Sequence, residues 1–144
     1  MSFSGPGEGA VNDAGGNRLT VKIHPDAGAH DFSLFESVVP PGGRVLPHRH
    51  HEFEEAFYVL EGSLEFLLGE EWRGGGRGTA VHVPRNTVHA FRNASGEPAR
   101  VLVVHTPALA IRMIEELAAL PPGSAPAESA AVLARHASEP ALTA

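Results

Sequence analysis

Eight consecutive positions, His48 to Glu55 (HRHHEFEE), hold three histidines and three glutamates. Imidazole nitrogens and carboxylate oxygens ligate metals of intermediate softness such as iron, manganese, nickel, copper and zinc. The same groups can also hold and move protons. On a strand, alternate side chains share a face, so His48 and His50 point together while Arg49 points away. Two imidazoles side by side make half of a thiolate-free metal site. A carboxylate should complete it, and Glu52, Glu54 and Glu55 all lie close. Glu55 shares parity with Phe57 and Val59, Glu54 with Tyr58 and Leu60; both sets are apolar, so alternation does not choose between them. A further histidine, His89, follows a Pro-containing turn and opens a run with Phe91 on its own face. It is a candidate third imidazole.

Short strands must carry these groups. The runs LTVKI, DFSLFESVV, RVLPHRH, AFYVLEG, SLEFLLG, EWRG, TAVHVP, HAFRN and ARVLVVHT are each bounded by Gly, Pro, Asn or a polar turn. That is the texture of an all-β sandwich or barrel. LEGSLEF reads as a tight hairpin around Gly62 and Ser63. Residues 1–17, rich in Gly, Ser and Asn, read as a flexible leader, and residues 18–106 as the barrel. From Pro107 the period becomes helical, with Leu109, Ile111, Met113, Ile114 and Leu117 on one stripe until Pro121-Pro122-Gly123. A second, alanine-rich helix is expected over about 127–137. Residues 107–144 thus form a C-terminal helical extension, to which the sequence assigns packing and no chemistry.

The spacing of the polar residues resembles that of the cupins. The family's first motif, G-x5-H-x-H-x3,4-E-x6-G, is met by Gly42, His48, His50, Glu55 and Gly62. The second, G-x5-P-x-G-x2-H-x3-N, falls on Gly78, Pro84, His89 and Asn93, with Asn86 in place of the usual glycine. Asparagine is the non-glycine residue best suited to a left-handed turn, so the departure is mild. The resemblance spans about residues 30–105. It implies a cupin jelly-roll β-barrel and selects Glu55 as the carboxylate. It further implies one divalent metal per chain (Fe, Mn, Ni, Cu or Zn), held by His48, His50, Glu55 and His89 with open positions for substrate. His51 and Glu52 then read as solvated bystanders and Glu54 as an outward neighbour. Phe57, His82, Phe91 and His105 are candidates for the pocket wall or for groups behind the ligands.

The resemblance admits three kinds of function. The favoured one is a small-molecule dioxygenase, similar to quercetinase-like cupins, acting on an aromatic or hydroxy-keto substrate, with Glu55 as ligand and catalytic base. The second is a non-redox metal-dependent isomerase or cyclase in which His82 or His105 moves the proton. The third is a non-catalytic small-molecule-binding cupin. The chain's 144 residues fit one domain, and its formal charge of −6 argues against nucleic acid and anionic membranes as partners. Cysteine is absent, which excludes disulfides and thiolate sites. No secretory signal pattern opens the sequence, so the cytoplasm is the expected location. Apolar residues on both faces of 57–60 and 64–68 lead us to expect a homodimer.

Overall fold

A computed structural model describes residues 1–141. The chain folds into two antiparallel sheets facing one another. One has the order β1 (Ala10–Ala14), β2 (Asn17–Ile23), β3 (Ser33–Val39), β10 (Ala99–Thr106), β5 (Glu54–Glu61), β8 (Ala80–Val83). The other runs β11 (Ser138–Pro140), β4 (Arg44–His50), β9 (His89–Arg92), β6 (Ser63–Leu68), β7 (Glu71–Gly76). Two helices follow the barrel, α1 (Ile111–Ala119) and α2 (Pro126–Arg135). The all-β jelly roll with a helical extension is the architecture expected from the sequence. The last three residues of the predicted extension, 142–144, lie outside the described part.

Strict alternation builds the interior. Along β10, Ala99, Val101, Val103 and His105 are buried, and along β5, Glu55, Phe57 and Val59 are. These side chains meet Leu19, Val21, Phe35, Leu64, Phe66 and Phe91 in one core between the sheets. A second apolar cluster lies under the helices, where Phe53 packs with Ala110, Met113 and Val132. Of the expected helical stripe, Met113, Ile114 and Leu117 pack with Phe53 and Ile111 enters the main core, whereas Leu109 is exposed.

Two expectations need correction. Residues 10–14 are not part of a leader: they form β1, paired in register with β2 from Ala10↔Val21 to Ala14↔Asn17. Gly15 and Gly16 both take positive φ, 60° and 86°, which is the backbone of a two-residue hairpin turn. A glycine pair flanked by alternating residues is a turn signal, and composition alone disguises it as linker. Nor is Gly62 the tip of a hairpin, because β5 and β6 belong to different sheets and the chain crosses between them there.

Gly62 has φ 73°, and a Cβ on it would lie 2.6 Å from the Pro98 carbonyl oxygen and 2.9 Å from Ala99 Cα. Both neighbours are backbone and cannot swing aside. Gly62→Ala is therefore expected to destabilise the protein by more than about 1 kcal/mol, read as a lower midpoint in urea. An unchanged midpoint would contradict this account of the crossing.

Candidate metal centre

His48 and His50 lie at the end of β4 and share a face, but a β-bulge sets which face. In the β4–β9 ladder Val45 pairs with Phe91 and His48 with His89, so three steps on one strand oppose two on the other. Val45 packs against the core, and without the extra residue the inward parity would pass to positions 47 and 49. The bulge hands it to 48 and 50 instead. Glu55 enters from the facing sheet, one pleat from Phe57, and His89 opens β9 one pleat from Phe91. Ring centroids of Phe57, Phe66 and Phe91 lie 5.6–6.3 Å apart, forming an aromatic layer next to the polar one.

His48, His50, Glu55 and His89 are all buried, and each offers one ligand atom within 4.8 Å of the others. The donor set is three neutral nitrogens and one oxygen, suited to a borderline divalent ion. His48 Nδ1 lies 2.7 Å from the Leu46 carbonyl and His89 Nδ1 lies 2.9 Å from the Thr87 carbonyl. A carbonyl only accepts, so both Nδ1 atoms carry hydrogen, and in the neutral ring Nε2 keeps its lone pair. Nε2 of His50 and of His89 is buried without a hydrogen-bond partner. His50 Nε2 does approach Glu55 Oε1 to 2.8 Å, but the geometry is that of a close contact between two donors of electrons, not of a hydrogen bond. Buried lone pairs without hydrogen are what a cation would satisfy, and the residues fit a single metal ion.

The electrostatics of the metal-free site pull in two directions. Burial, then the neighbouring His89 and His50, push the His48 imidazole down to about 3, against the opposing pull of Glu55. Burial also lowers His50, while Glu55 beside it pulls the other way. For His89 burial opposes protonation, but contact with Glu55 outweighs it and the pKa is raised. Burial alone would raise Glu55; the positive potential of His105 and polar contacts from His105, His50 and His89 overcome it and hold the carboxylate well below its usual range.

A stability prediction follows for the metal-free protein. An unfolded histidine takes up its proton near 6.5, whereas folded His48 refuses it until about 3. The unfolded state therefore binds more protons across that interval. The stabilisation is complete above about pH 6.5 and drains away toward pH 3, at a slope of about 1.4 kcal/mol per pH unit from this one group. His50 acts in the same sense, whereas His89, whose pKa is raised, acts in the opposite sense above about pH 6.5. Urea midpoints measured between about pH 6.5 and 4.5 should fall, and His48→Asn should flatten the curve. A wild-type midpoint independent of pH would contradict the burial assigned to His48.

The four candidates for the surroundings part company. Phe57 and Phe91 lie in the aromatic layer described above. His105 faces Glu55 directly across the β10–β5 ladder, with its Nε2 3.3 Å from Glu55 Oε1, and is 1% exposed. His82 does not reach the site. It pairs with Ala56 on the outer face, is exposed, and bonds Glu54 at 2.7 Å. The flanking Val81 and Val83 hold the inward positions, so alternation places His82 outside. Of the bystanders, His51 is exposed and its Nδ1 lies 2.5 Å from Asn86 Oδ1. Asn86 takes φ 65°, the left-handed turn expected of it, and its N–H donates to the His50 carbonyl. One residue the sequence did not single out belongs here: Ser138, whose Oγ lies 2.7 Å from His50 Nδ1. No periodicity or spacing marks it.

Among the described residues no helix is long and apolar enough to cross a membrane. A family model for the cupin domain matches residues 35–105. Protein SchB of Streptomyces halstedii is 34% identical over 98 residues, which cover 68% of this chain and 70% of SchB. An uncharacterized protein, MJ1618 of Methanocaldococcus jannaschii, is 33% identical over 75 residues, 52% of this chain and 60% of MJ1618. Quercetin 2,3-dioxygenase of Bacillus subtilis is 36% identical over 61 residues, which cover 42% of this chain but only 18% of the dioxygenase. Among solved structures, the polyketide cyclase RemF of Streptomyces resistomycificus superposes with a TM-score of 0.65 at 32% identity, covering 74% of this chain and 79% of RemF. KdgF of Halomonas sp. superposes with a TM-score of 0.67 at 23% identity, covering 74% of this chain and 94% of KdgF, a likeness of fold. With both histidine motifs in register, the jelly roll formed and the family model matched from β3 to β10, the chain belongs to the cupin superfamily.

Proposed function

We propose that this cupin is a metal-dependent cyclase or isomerase acting on a carbonyl-rich small molecule of polyketide type, without consuming dioxygen. The observation that carries this reading is the likeness to RemF, which runs over three quarters of both chains at 32% identity, whereas the dioxygenase match touches only a short stretch of a much longer protein. The donor set supports it. A divalent ion on His48, His50, Glu55 and His89 would supply Lewis acidity toward a carbonyl oxygen.

The chain's own residues do the rest. Glu55 is the one acidic side chain buried among the described residues, and we assign it the proton-accepting role beside its place as ligand. His105, on the neighbouring strand β10, holds the Glu55 carboxylate through Oε1. Phe53, stacked on His50 with centroids 3.9 Å apart, and the Phe57–Phe66–Phe91 layer keep water from the ligands.

Products separate this reading from the dioxygenase one, which the short match to quercetin dioxygenase favours. An aldol-type ring closure leaves the substrate mass unchanged or lower by one water, while dioxygenation adds two oxygen atoms. The metal-loaded protein should cyclise a linear poly-β-carbonyl substrate equally well in anaerobic and aerated buffer. Turnover that stops without dioxygen, with oxygen uptake matching product, would replace the cyclase reading by the dioxygenase.

We also infer that two copies pair through the outer face of the six-stranded sheet. Ala56, Tyr58, Leu102 and Val104 form a shallow apolar groove there, with Tyr58 46% exposed. A face that apolar on a free surface invites association. Light scattering should give twice the chain mass, and Tyr58→Glu should give the single-chain mass. A wild-type monomer at tens of micromolar would overturn this.

A further inference from the structure

The C-terminal segment beyond α2 lies outside the matched cupin domain, yet it ends on a metal ligand. β11 pairs with β4 at the ligand positions themselves, Ser138 opposite His50 and Pro140 opposite His48. Main-chain bonds from His51 N to the Ala137 carbonyl and from Ala141 N to the Pro47 carbonyl extend the register on both sides. Ala137, which turns the chain out of α2 into β11, is held at φ 49°, where glycine would be at ease. A strained position of this kind persists only where the surroundings over-determine it.

The protons can be assigned from the partners. The Ser138 hydroxyl has one hydrogen, and its Oγ lies 3.0 Å from the His136 carbonyl, which can only accept. That hydrogen is therefore spent on His136. The Oγ lone pair 2.7 Å from His50 Nδ1 must then accept, so Nδ1 is protonated and Nε2 is left bare toward Glu55 and His89. His48 and His89 obtain the same tautomer from carbonyls only two residues away, Leu46 and Thr87. His50 alone among the three depends on a distant residue, 88 positions along the chain.

We propose that Ser138 is a positioning residue of the metal centre: the C-terminal strap fixes the tautomer and ring orientation of His50, making the extension part of the site and not only of its packing. The inference rests on the metal-site reading of the four residues, and its test separates the two. In the metal-free protein, long-range proton–nitrogen correlation spectra should show His50 with hydrogen on Nδ1. In Ser138→Ala the ring should shift to Nε2–H or to a mixture. Zinc affinity, measured against a chromophoric chelator, should fall about 10- to 100-fold in Ser138→Ala and return to within about threefold of wild type in Ser138→Thr.

Glu139→Gln is the structural control. It removes the ion pair with Arg49 on the exposed side of the same strand pair without touching His50. If it costs as much affinity as Ser138→Ala, the strap acts by docking alone and the proposal fails. It fails equally if Ser138→Ala keeps both the Nδ1–H tautomer and the wild-type affinity. If the wild type binds no zinc, cobalt or nickel, the metal reading falls, while the tautomer comparison still decides the role of Ser138.

Discussion

Replacing His89 with alanine is expected to remove stable metal binding, lowering affinity by more than about 100-fold. Partners behind a ligand typically contribute 10- to 100-fold, and a ligand itself contributes more. His89 is the donor that β9 supplies to the proposed metal site, so its loss leaves a three-donor set with a hole on the strand between β4 and β6. The side chain is 3% exposed, and its removal also opens a small cavity, so the variant should be checked for cooperative unfolding before its affinity is read. Glu54→Gln is the matched control. It lies beside Glu55 in sequence but on the outer face with His82, and it should leave affinity within about twofold of wild type. Unchanged stoichiometry and affinity in His89→Ala would mean that the four residues are not the site.

The second large effect concerns stability. Asn93 closes the second motif, and its position there invites a role in the chemistry. The structure gives it a different task. Its side chain donates to the Val39 and Glu97 carbonyls at 3.0 and 2.8 Å and accepts from the Ser95 N–H and hydroxyl at 3.0 and 2.7 Å. Its main chain bonds Gly42 and Gly43. The buried amide thus ties the end of β3 to the loop after β9, while the main chain of the same residue holds the turn before β4. Asn93→Ala takes the donor from the buried Val39 carbonyl and removes three further side-chain bonds, and is expected to cost about 3 kcal/mol. That corresponds to a fall in Tm of roughly 10 °C for a domain of this size. Metal affinity measured well below the transition should stay within about threefold of wild type, since Asn93 touches none of the four ligands. A loss under about 1 kcal/mol would contradict the knot; a loss of metal at full stability would move Asn93 into the site.

The site was legible in the sequence to the extent that its geometry is local. His48 and His50 share a face because strand side chains alternate, and the fixed distance from Glu55 to Gly62 separated Glu55 from Glu54 once the family pattern was recognised. His82 was wrongly kept as a pocket candidate, although Val81 and Val83 on either side of it carry the signal that places it outside. The first hairpin was missed because glycines at 15 and 16 were weighed as composition, although a glycine pair between alternating residues is a turn with a mechanism.

What the sequence by itself determined is the shared face of His48 and His50 and the period of the strands bearing them, because both depend on spacing along a few residues; the resemblance to the cupins selected Glu55 and His89 as the further candidate ligands. The tertiary structure decided three further matters. The bulge in β4 turned His48 and His50 inward, and its existence depends on how β9 lies against β4. The chain crosses at Gly62 to the opposite sheet, with the Pro98 and Ala99 backbone lying against it, a neighbourhood set by residues more than thirty positions away. Ser138 came to His50 from 88 residues away. A hydrogen bond between such distant residues leaves no periodic trace in the chain, and only folding brings its two ends together.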